Sequence, residues 1–399
     1  LNRQIFQGDV IEQLAKFPDS SIDCIISSPP YWGLRDYSVE GQLGLEPDFH
    51  DYLNKMQTIM DELRRILKNT GTCWINIGDT YSGSGKGAGY DGAKESWRFD
   101  KKPEINETIT AKSRIGIPER FYINCIDGGW IARNHIVWTK NNSMPSSVKD
   151  RFKNSWESVF FFSKNKKYYF DLDAVREPTI TDTKPFNVRV RDTKKNRYLQ
   201  GATDEEVKNH NGKGEKKWDY KTMANGLDGH SGNSANHSKG KNPGDVFRIN
   251  TKPFKEAHFA TFPPALPQKI LKCACPNQVC NKCGKPRTAI TNHIVEHFRE
   301  NNRVDKNTVY DKHSHVERLP SNWKPKKKDE IIGYTDCGCN AGFKPGIVLD
   351  PFFGAGTVGL VAEQMGLRWC GIELNPEYIE IAKKRLDPFT SVEKIESFT

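Results

Sequence analysis

Apolar residues in the first third of the chain switch between short continuous runs and a three-to-four-residue period, as strands alternating with helices do. "RQIFQGD" predicts a short strand ending at Gly8-Asp9, "VIEQLAKFP" a helix closed by Pro18, and "SIDCIISS" a buried strand. In "FHDYLNKMQTIMDELRRILKN", Tyr52, Leu53, Met56, Ile59, Met60, Leu63, Ile66 and Leu67 recur at helical spacing, so one face is apolar. "GTCWINIGD" predicts another buried strand, followed by a helix near "GIPERFYINCIDGG" and strands at "IARNHIVWTK" and "ESVFFFSK". The pattern returns at the far end in "GIVLDPFFGAGTVGLVAEQMGLRWCGIELNPEYIEIAKKRL". This order predicts an α/β fold, a doubly wound and mainly parallel sheet covered by helices.

Three stretches break the pattern. Tyr81 to Ser113 is rich in Gly, Ser and Lys and reads as a mobile loop. From about Asp171 to Lys255, basic residues, Asn and Gly dominate, interrupted by Tyr198, Trp218 and Tyr220. That stretch is either a solvated insertion or a nucleic-acid surface, with cations for phosphates and aromatics or amides for bases. The third stretch contains "CACPNQVCNKCGKPR" and, further on, "TDCGCNAG". The basic segment between them, Arg287 to Lys328, is open to the same two readings.

Composition narrows the class. The formal net charge of +10 suits a polyanionic partner, without specifying an activity. No apolar run approaches the ~20 residues of a membrane helix. The opening "LNRQIFQGDV" has no signal-peptide pattern, and a start at Leu1 leads us to expect a trimmed chain. Of ten cysteines, six lie between Cys273 and Cys339, which favours metal ligation over disulfides and a cytoplasmic address. Cys280-x-x-Cys283 followed by Gly284 can present two thiolates to one ion. Cys337-x-Cys339 can add two more, closing a tetrahedral zinc site. Cys273 and Cys275 are alternative ligands or buried thiols at the end of a helix.

Two short segments suggest chemistry. "IVLDPFFGAGT" is a strand ending in Asp350 that turns through Gly354 and Gly356 into a helix. Glycines there let a ligand approach the backbone. The next strand, "RWCGIEL", ends at Glu373, where an acid can accept from two ribose hydroxyls. Together they predict a nucleoside cofactor; Asp-Pro-Phe in the turn makes NAD the poorer choice. The second segment, "SSPPYWGLRDY", follows a buried strand directly. It is a stiff structural corner or the floor of a site for a flat ring, and Trp32 is packing or a DNA contact. Cys24 reads as core.

"DPFFGAGT" resembles the S-adenosylmethionine turn of DNA amino-methyltransferases, Asp-Pro-Phe-x-Gly-x-Gly-Thr, and "SPPY" resembles their catalytic turn. "GDVIEQLAKFPDSSIDCIISSPPY", "WTKNNSMPSSVKDRFKNSWESVFFFSK" and "HFATFPPALPQKIL" extend the likeness over roughly two thirds of the chain. The order, catalytic half first, is similar to the permuted (beta) group. The resemblance implies a class I methyltransferase fold, circularly permuted, with a target-recognition insertion and a small zinc-binding insertion like those of some phage-like members. It implies catalytic roles for Ser28, Pro29, Pro30 and Tyr31. It also implies cofactor binding by Asp9, Asp350, Phe352, Gly354, Gly356, Thr357 and Glu373. In this reading the Asp9 strand lies beside the Glu373 strand and Asp9 holds the adenine; its plain alternative is a helix N-cap.

The implied segments are 1–170 for the catalytic half, 171–257 for target recognition, 258–272 for a returning helix, 273–343 for the zinc insertion with Cys280, Cys283, Cys337 and Cys339, and 344–399 for the cofactor half. The implied partners are S-adenosylmethionine, a structural zinc ion and double-stranded DNA, in a prokaryotic or phage-encoded protein. A companion restriction nuclease is compatible with this but leaves no trace in the sequence, nor does the oligomeric state. Ser at the first position of the turn goes with cytosine N4 in the family, and Asp or Asn with adenine N6, so N4-methylcytosine is expected and N6-methyladenine is the alternative. Cytosine C5 chemistry needs a Pro-Cys turn, and no such dipeptide occurs. RNA or protein-glutamine methylation, or a dead scaffold that only binds DNA, are more distant alternatives.

Overall fold

The computed structural model describes residues 2–82, 109–143, 145–178, 240–251, 262–296 and 326–390. Most of the glycine-rich loop, the middle of the basic insertion with Tyr198, Trp218 and Tyr220, and residues 297–325 lie outside the described residues. Two compact units are distinguished, Leu1–Val175 with Pro243–Thr399, and Arg176–Asn242. At the ends of the second unit, Glu177 and Lys241 exchange backbone hydrogen bonds of 3.0 and 2.8 Å.

In chain order the elements of the first unit are β1 (Gln4–Gln7), α1 (Val10–Leu14), β2 (Ile22–Ser27), α2 (Phe49–Ile66), β3 (Leu67–Ile77), α3 (Ile117–Asp127), β4 (Ile131–Thr139) and β5 (Trp156–Ser163). After the second unit follow β6 (Val246–Arg248), α4 (Ala265–Ala274), β7 (Val279–Cys280), β8 (Ala289–Glu296), β9 (Lys326–Tyr334), β10 (Phe343–Lys344), β11 (Ile347–Asp350), α5 (Thr357–Gln364), β12 (Arg368–Glu373) and α6 (Pro376–Thr390). An eight-stranded sheet runs β1-β12-β11-β2-β3-β5-β4-β6. Its first five strands are parallel, and β5 runs antiparallel to both β3 and β4. β1 pairs with β12 from Gln4↔Cys370 to Gln7↔Glu373, so strands from opposite ends of the chain are neighbours.

Apolar layers cover both faces, as a doubly wound sheet requires. Val10 and Leu14 of α1, the stripe Phe49 to Ile66 of α2 and Phe121 of α3 cover one face. Leu266 and Ile270 of α4, Val358 and Val361 of α5 and Ala382 of α6 cover the other. β2 and β11 are buried at every position, which is why both read as unbroken apolar runs. The acid inside β2, Asp23, receives Lys68 Nζ at 2.8 Å and the Ile347 amide at 3.0 Å, so it is paired.

The sheet also takes up Val246–Arg248 as its edge strand β6, inside the stretch expected to be insertion. Only Phe247 of the three is buried, so the strand leaves no periodic signal. Cys273 and Cys275 are buried in the second apolar layer at the end of α4, and Cys273 Sγ is 3.2 Å from the Ile270 carbonyl. They are core thiols.

Close packing makes one testable demand. The Phe353 ring lies over the backbone of Gly371 and against Gly359, where an added Cβ would stand 2.7 Å from Phe353 Cζ, and it stacks on Trp369 at 5.2 Å. Gly371→Ala would drive a methyl into that ring. It is expected to lower unfolding stability by about 1–3 kcal/mol, measured by urea denaturation; a neutral effect would mean the ring moves freely.

Candidate active site

The parallel strands β1, β12, β11, β2 and β3 end on one edge of the sheet, and each places a candidate site residue there. Ligands of open α/β sheets bind at this edge, outside the carboxyl ends of the strands. Asp9 follows β1, Glu373 closes β12, Asp350 closes β11, Ser28 follows β2, and Asn76 is the penultimate residue of β3. The two turns singled out in the sequence therefore leave neighbouring strands, although more than three hundred residues separate them. Ser27 Oγ donates to Asp350 Oδ1 at 2.6 Å and ties them together.

Asp9, Ser28, Pro29, Pro30, Tyr31, Asp350, Phe352, Gly354, Thr357 and Glu373 line one cavity of about 380 Å³. Gly354 has φ of 50° and open space where a Cβ would stand. Gly356 is not in the lining. It precedes α5 with φ of 75°, and a Cβ there would lie 3.0 Å from Ala382, so it serves helix packing. Phe352 faces the cavity while Phe353 turns into the core.

The acids differ in setting. Asp9 Oδ1 accepts from the Ile11 and Glu12 amides at 2.9 and 3.1 Å, so it caps α1 and also lines the cavity. Glu373 accepts from the Gly354 amide at 2.6 Å and the Asn375 amide at 2.8 Å. Burial pushes its carboxyl above the ordinary range despite these amides. Asp350 is 1% exposed, and burial pushes it up to about 8, against the hydrogen bonds from Ser27 and the Phe352 amide.

Around the proline turn the polar atoms form one network. Asn76 Oδ1 accepts from Ser28 Oγ at 3.2 Å and from Tyr31 Oη at 3.0 Å. Tyr31 Oη also stands 2.9 Å from Glu157 Oε2. The Pro30 carbonyl accepts from Tyr52 Oη at 2.9 Å, and the Tyr31 ring lies on the backbone of Gly78. Trp32 is core: it is 7% exposed, donates from Nε1 to the Glu46 carbonyl and meets Phe49 edge-on.

Elsewhere, the Sγ atoms of Cys280, Cys283, Cys337 and Cys339 all lie within 4.8 Å of one another. The antiparallel pair β7–β10 brings the two halves together through Cys280↔Phe343. Gly284 (φ 68°) turns the first knuckle, and Asp336 Oδ1 accepts from the Cys337 and Gly338 amides at the second.

The N6/N4 methyltransferase family model, described as DNA methylase, matches residues 22–282 and 341–384. The type II methyltransferase M.Cfr9I of Citrobacter freundii is 32% identical over 384 residues, 96% of this chain and 87% of its own length. The chain belongs to the N6/N4 DNA methylase family. The type II methyltransferase M.XycI of Xanthomonas campestris pv. cyanopsidis is 31% identical, with the same 96% and 87% coverage. The methylase also shares its fold with a solved PvuII DNA methyltransferase (cytosine-N4-specific), at a TM-score of 0.50 and 16% identity, covering 98% of this chain and 91% of that one.

The sequence did not single out Ser27, Asn76, Lys140 or Glu157 of the methylase. Lys140 follows β4 and Glu157 is the second residue of β5, and because these strands are antiparallel both reach the same edge as Ser28. The available signal was a charge immediately flanking an apolar strand, in "WTK" and "WES". Nothing in the sequence says which edge such charges reach.

Proposed function

We propose that this methylase transfers a methyl group from S-adenosylmethionine to the exocyclic N4 of cytosine at a short specific site in duplex DNA. The observation that carries the proposal is the single cavity shared by the Ser28 turn and the strand ends bearing Asp350 and Glu373. The residues present fit the cofactor. Open space over Gly354 admits a ligand to the backbone, and the buried Asp350 and half-buried Glu373 at neighbouring strand ends suit its ribose hydroxyls and cationic centres. Asp9, Asp350, Phe352, Gly354, Thr357 and Glu373 would hold it, with Gly356 shaping the turn. Bound there, S-adenosylmethionine supplies an electrophilic methyl group.

The chain's own task is to orient a poor nucleophile, an amine whose lone pair is delocalised into the ring. Ser28 donates its O–H in a hydrogen bond to Asn76 Oδ1, which leaves the Oγ lone pairs to accept from the amine hydrogens. The prolines stiffen the turn, and Tyr52 fixes the Pro30 carbonyl, so acceptor directions are set before the base arrives. Tyr31 offers a ring face for stacking on a base turned out of the duplex. Serine at the first position of the turn favours cytosine over adenine.

In this reading residues 1–170 and 344–399 are the halves of a permuted catalytic domain, supported by the pairing of β1 with β12. The stretch 171–257, apart from the sheet strand β6, serves target recognition. Residues 273–343, apart from the core thiols Cys273 and Cys275, form a zinc insertion entered through the helix of 258–272. Four thiolates around zinc stand about 3.8 Å apart at Zn–S distances of about 2.3 Å, which the Sγ spacing of the cluster accommodates. Cys280→Ser is expected to purify without the roughly one equivalent of zinc held by the wild type, while the far-ultraviolet dichroism of the sheet persists. Wild-type protein that is metal-free by elemental analysis, with the insertion still protected from proteolysis, would contradict the zinc assignment. A companion restriction nuclease acting at the same site is the partner that type II relatives suggest.

Methylation-aware sequencing of a host genome carrying the gene tests the whole reading. One short modified motif, present only with the gene, is expected; an unchanged genome would contradict it.

A further inference from the structure

Glu157 and Lys140 form an ion pair in the cavity wall beside the catalytic turn, with side chains 24% and 18% exposed. A partly buried pair loses hydration on both sides, so its presence in the wall calls for a use beyond stability. Glu157 is fully engaged. Its Oε2 is 2.9 Å from Tyr31 Oη and 3.3 Å from Asn76 Nδ2, and its Oε1 accepts from Lys140 Nζ. Among the described residues, Lys140 is not fully engaged. Of its three N–H groups one meets Glu157, and the ammonium otherwise sits 4.3 Å above the Trp138 ring.

Neighbouring donors are already committed. Asn76 Nδ2 donates to the Ser158 carbonyl at 3.0 Å, and Trp138 Nε1 to the Ile249 carbonyl at 2.8 Å. Tyr31 has a single O–H between Asn76 and Glu157. Arg35, also in the lining, lies in the field of Tyr37, Tyr378 and Glu373, toward the other end of the cavity. Among the described residues around the Ser28–Asn76–Tyr31–Glu157 network, donor capacity is therefore concentrated on Lys140; Lys55, also in the lining, is paired with Glu46.

We propose that Lys140, held by Glu157, determines specificity by donating hydrogen bonds to the ring edge of the flipped base. This rests on the reading that the Ser28 turn accepts a base. A base leaving the duplex abandons the partner of its ring acceptors, and those atoms need new donors. Beside its amine, cytosine presents a ring nitrogen and a carbonyl oxygen, whereas adenine presents one ring nitrogen and a C–H. An ammonium with two N–H groups to give matches cytosine better.

The test uses full-length protein and a duplex containing the site found by methylation sequencing, with the target cytosine intact or replaced by 3-deazacytosine. That analogue has a carbon in place of the ring acceptor. In the wild type the replacement is expected to lower kcat/KM by about 10- to 100-fold, the worth of a hydrogen bond to a charged group. Lys140→Met is expected to lose a similar factor on cytosine, with unchanged affinity for S-adenosylmethionine, and to lose nothing more on the analogue. The intrinsic effect of the ring change is common to both proteins and cancels. Lys140→Arg should recover part of the loss. Because Lys140→Met leaves Glu157 unpaired, the double variant Lys140→Met, Glu157→Gln repeats the comparison without the stranded charge. The same analogue penalty in wild type and variants would overturn the proposal, as would a Lys140→Met enzyme within threefold of wild type on cytosine. Failure of the wild type to methylate the intact duplex would instead overturn the reading of the turn.

Discussion

Asp350→Asn is expected to weaken S-adenosylmethionine binding by about 10- to 100-fold, the loss of a charge-assisted contact, and to remove most of its pH dependence. The cause is the position of Asp350 at the end of a wholly buried strand, where burial pushes its carboxyl up to about 8. Below that pH the ligand-free wild type holds a proton on Asp350. A cationic ligand favours the carboxylate, so binding must expel the proton, and affinity should rise with pH until about 8, by at most about tenfold per unit. Calorimetry in buffers of different ionisation enthalpy reads the proton release directly. Stability of the ligand-free protein moves the other way. The folded state binds the proton more tightly than the unfolded chain, so stability should fall as pH rises from about 4 toward 8. In Asp350→Asn that slope should shrink. Equal affinity and equal pH slopes in both proteins would remove Asp350 from the cofactor site.

Tyr31→Ala is expected to lower kcat by about 100-fold, using about 1–3 kcal/mol for stacking of one base on an aromatic ring, with S-adenosylmethionine affinity within twofold of wild type. The ring is placed for that task from two sides. Gly78 gives it a flat seat, and Asn76 and Glu157 hold its hydroxyl. Burial and the nearby Glu157 carboxylate push the phenol well above its ordinary range, so it is a neutral anchor rather than a base. Tyr31→Phe keeps the face and loses the anchor, and should cost about tenfold or less, one neutral hydrogen bond. Rapid-quench methyl transfer under single-turnover conditions separates the two. If Phe is as poor as Ala, the hydroxyl network rather than the ring face does the positioning.

Much of the fold was legible because its central strands are buried on both faces, so "IDCII" and "IVLD" stand out as apolar runs, and because α2 has a clean apolar stripe. The proline turn and the glycine turn were legible for a different reason: unusual backbone demands leave unusual residues. What remained hidden depends on pairing between distant segments. Ser27 looks like a strand residue until β2 lies beside β11, and Glu157 looks like a solvated end until β5 reverses against β3. Asn76 reads as one polar interruption in a buried strand, yet it orders both Ser28 and Tyr31. β6 was illegible because a three-residue edge strand with one buried side chain has no period to detect. The four clustered cysteines were legible from spacing, and so were the two core thiols as one of two alternatives, which only packing could separate.

The central claim is that this cavity presents a cytosine amine to the methyl donor. Mass spectrometry of nucleosides from DNA methylated by the purified protein with S-adenosylmethionine tests it most directly. N4-methyl-deoxycytidine, absent when Ser28→Ala replaces the wild type, is the predicted result. N6-methyl-deoxyadenosine without N4-methyl-deoxycytidine would contradict it.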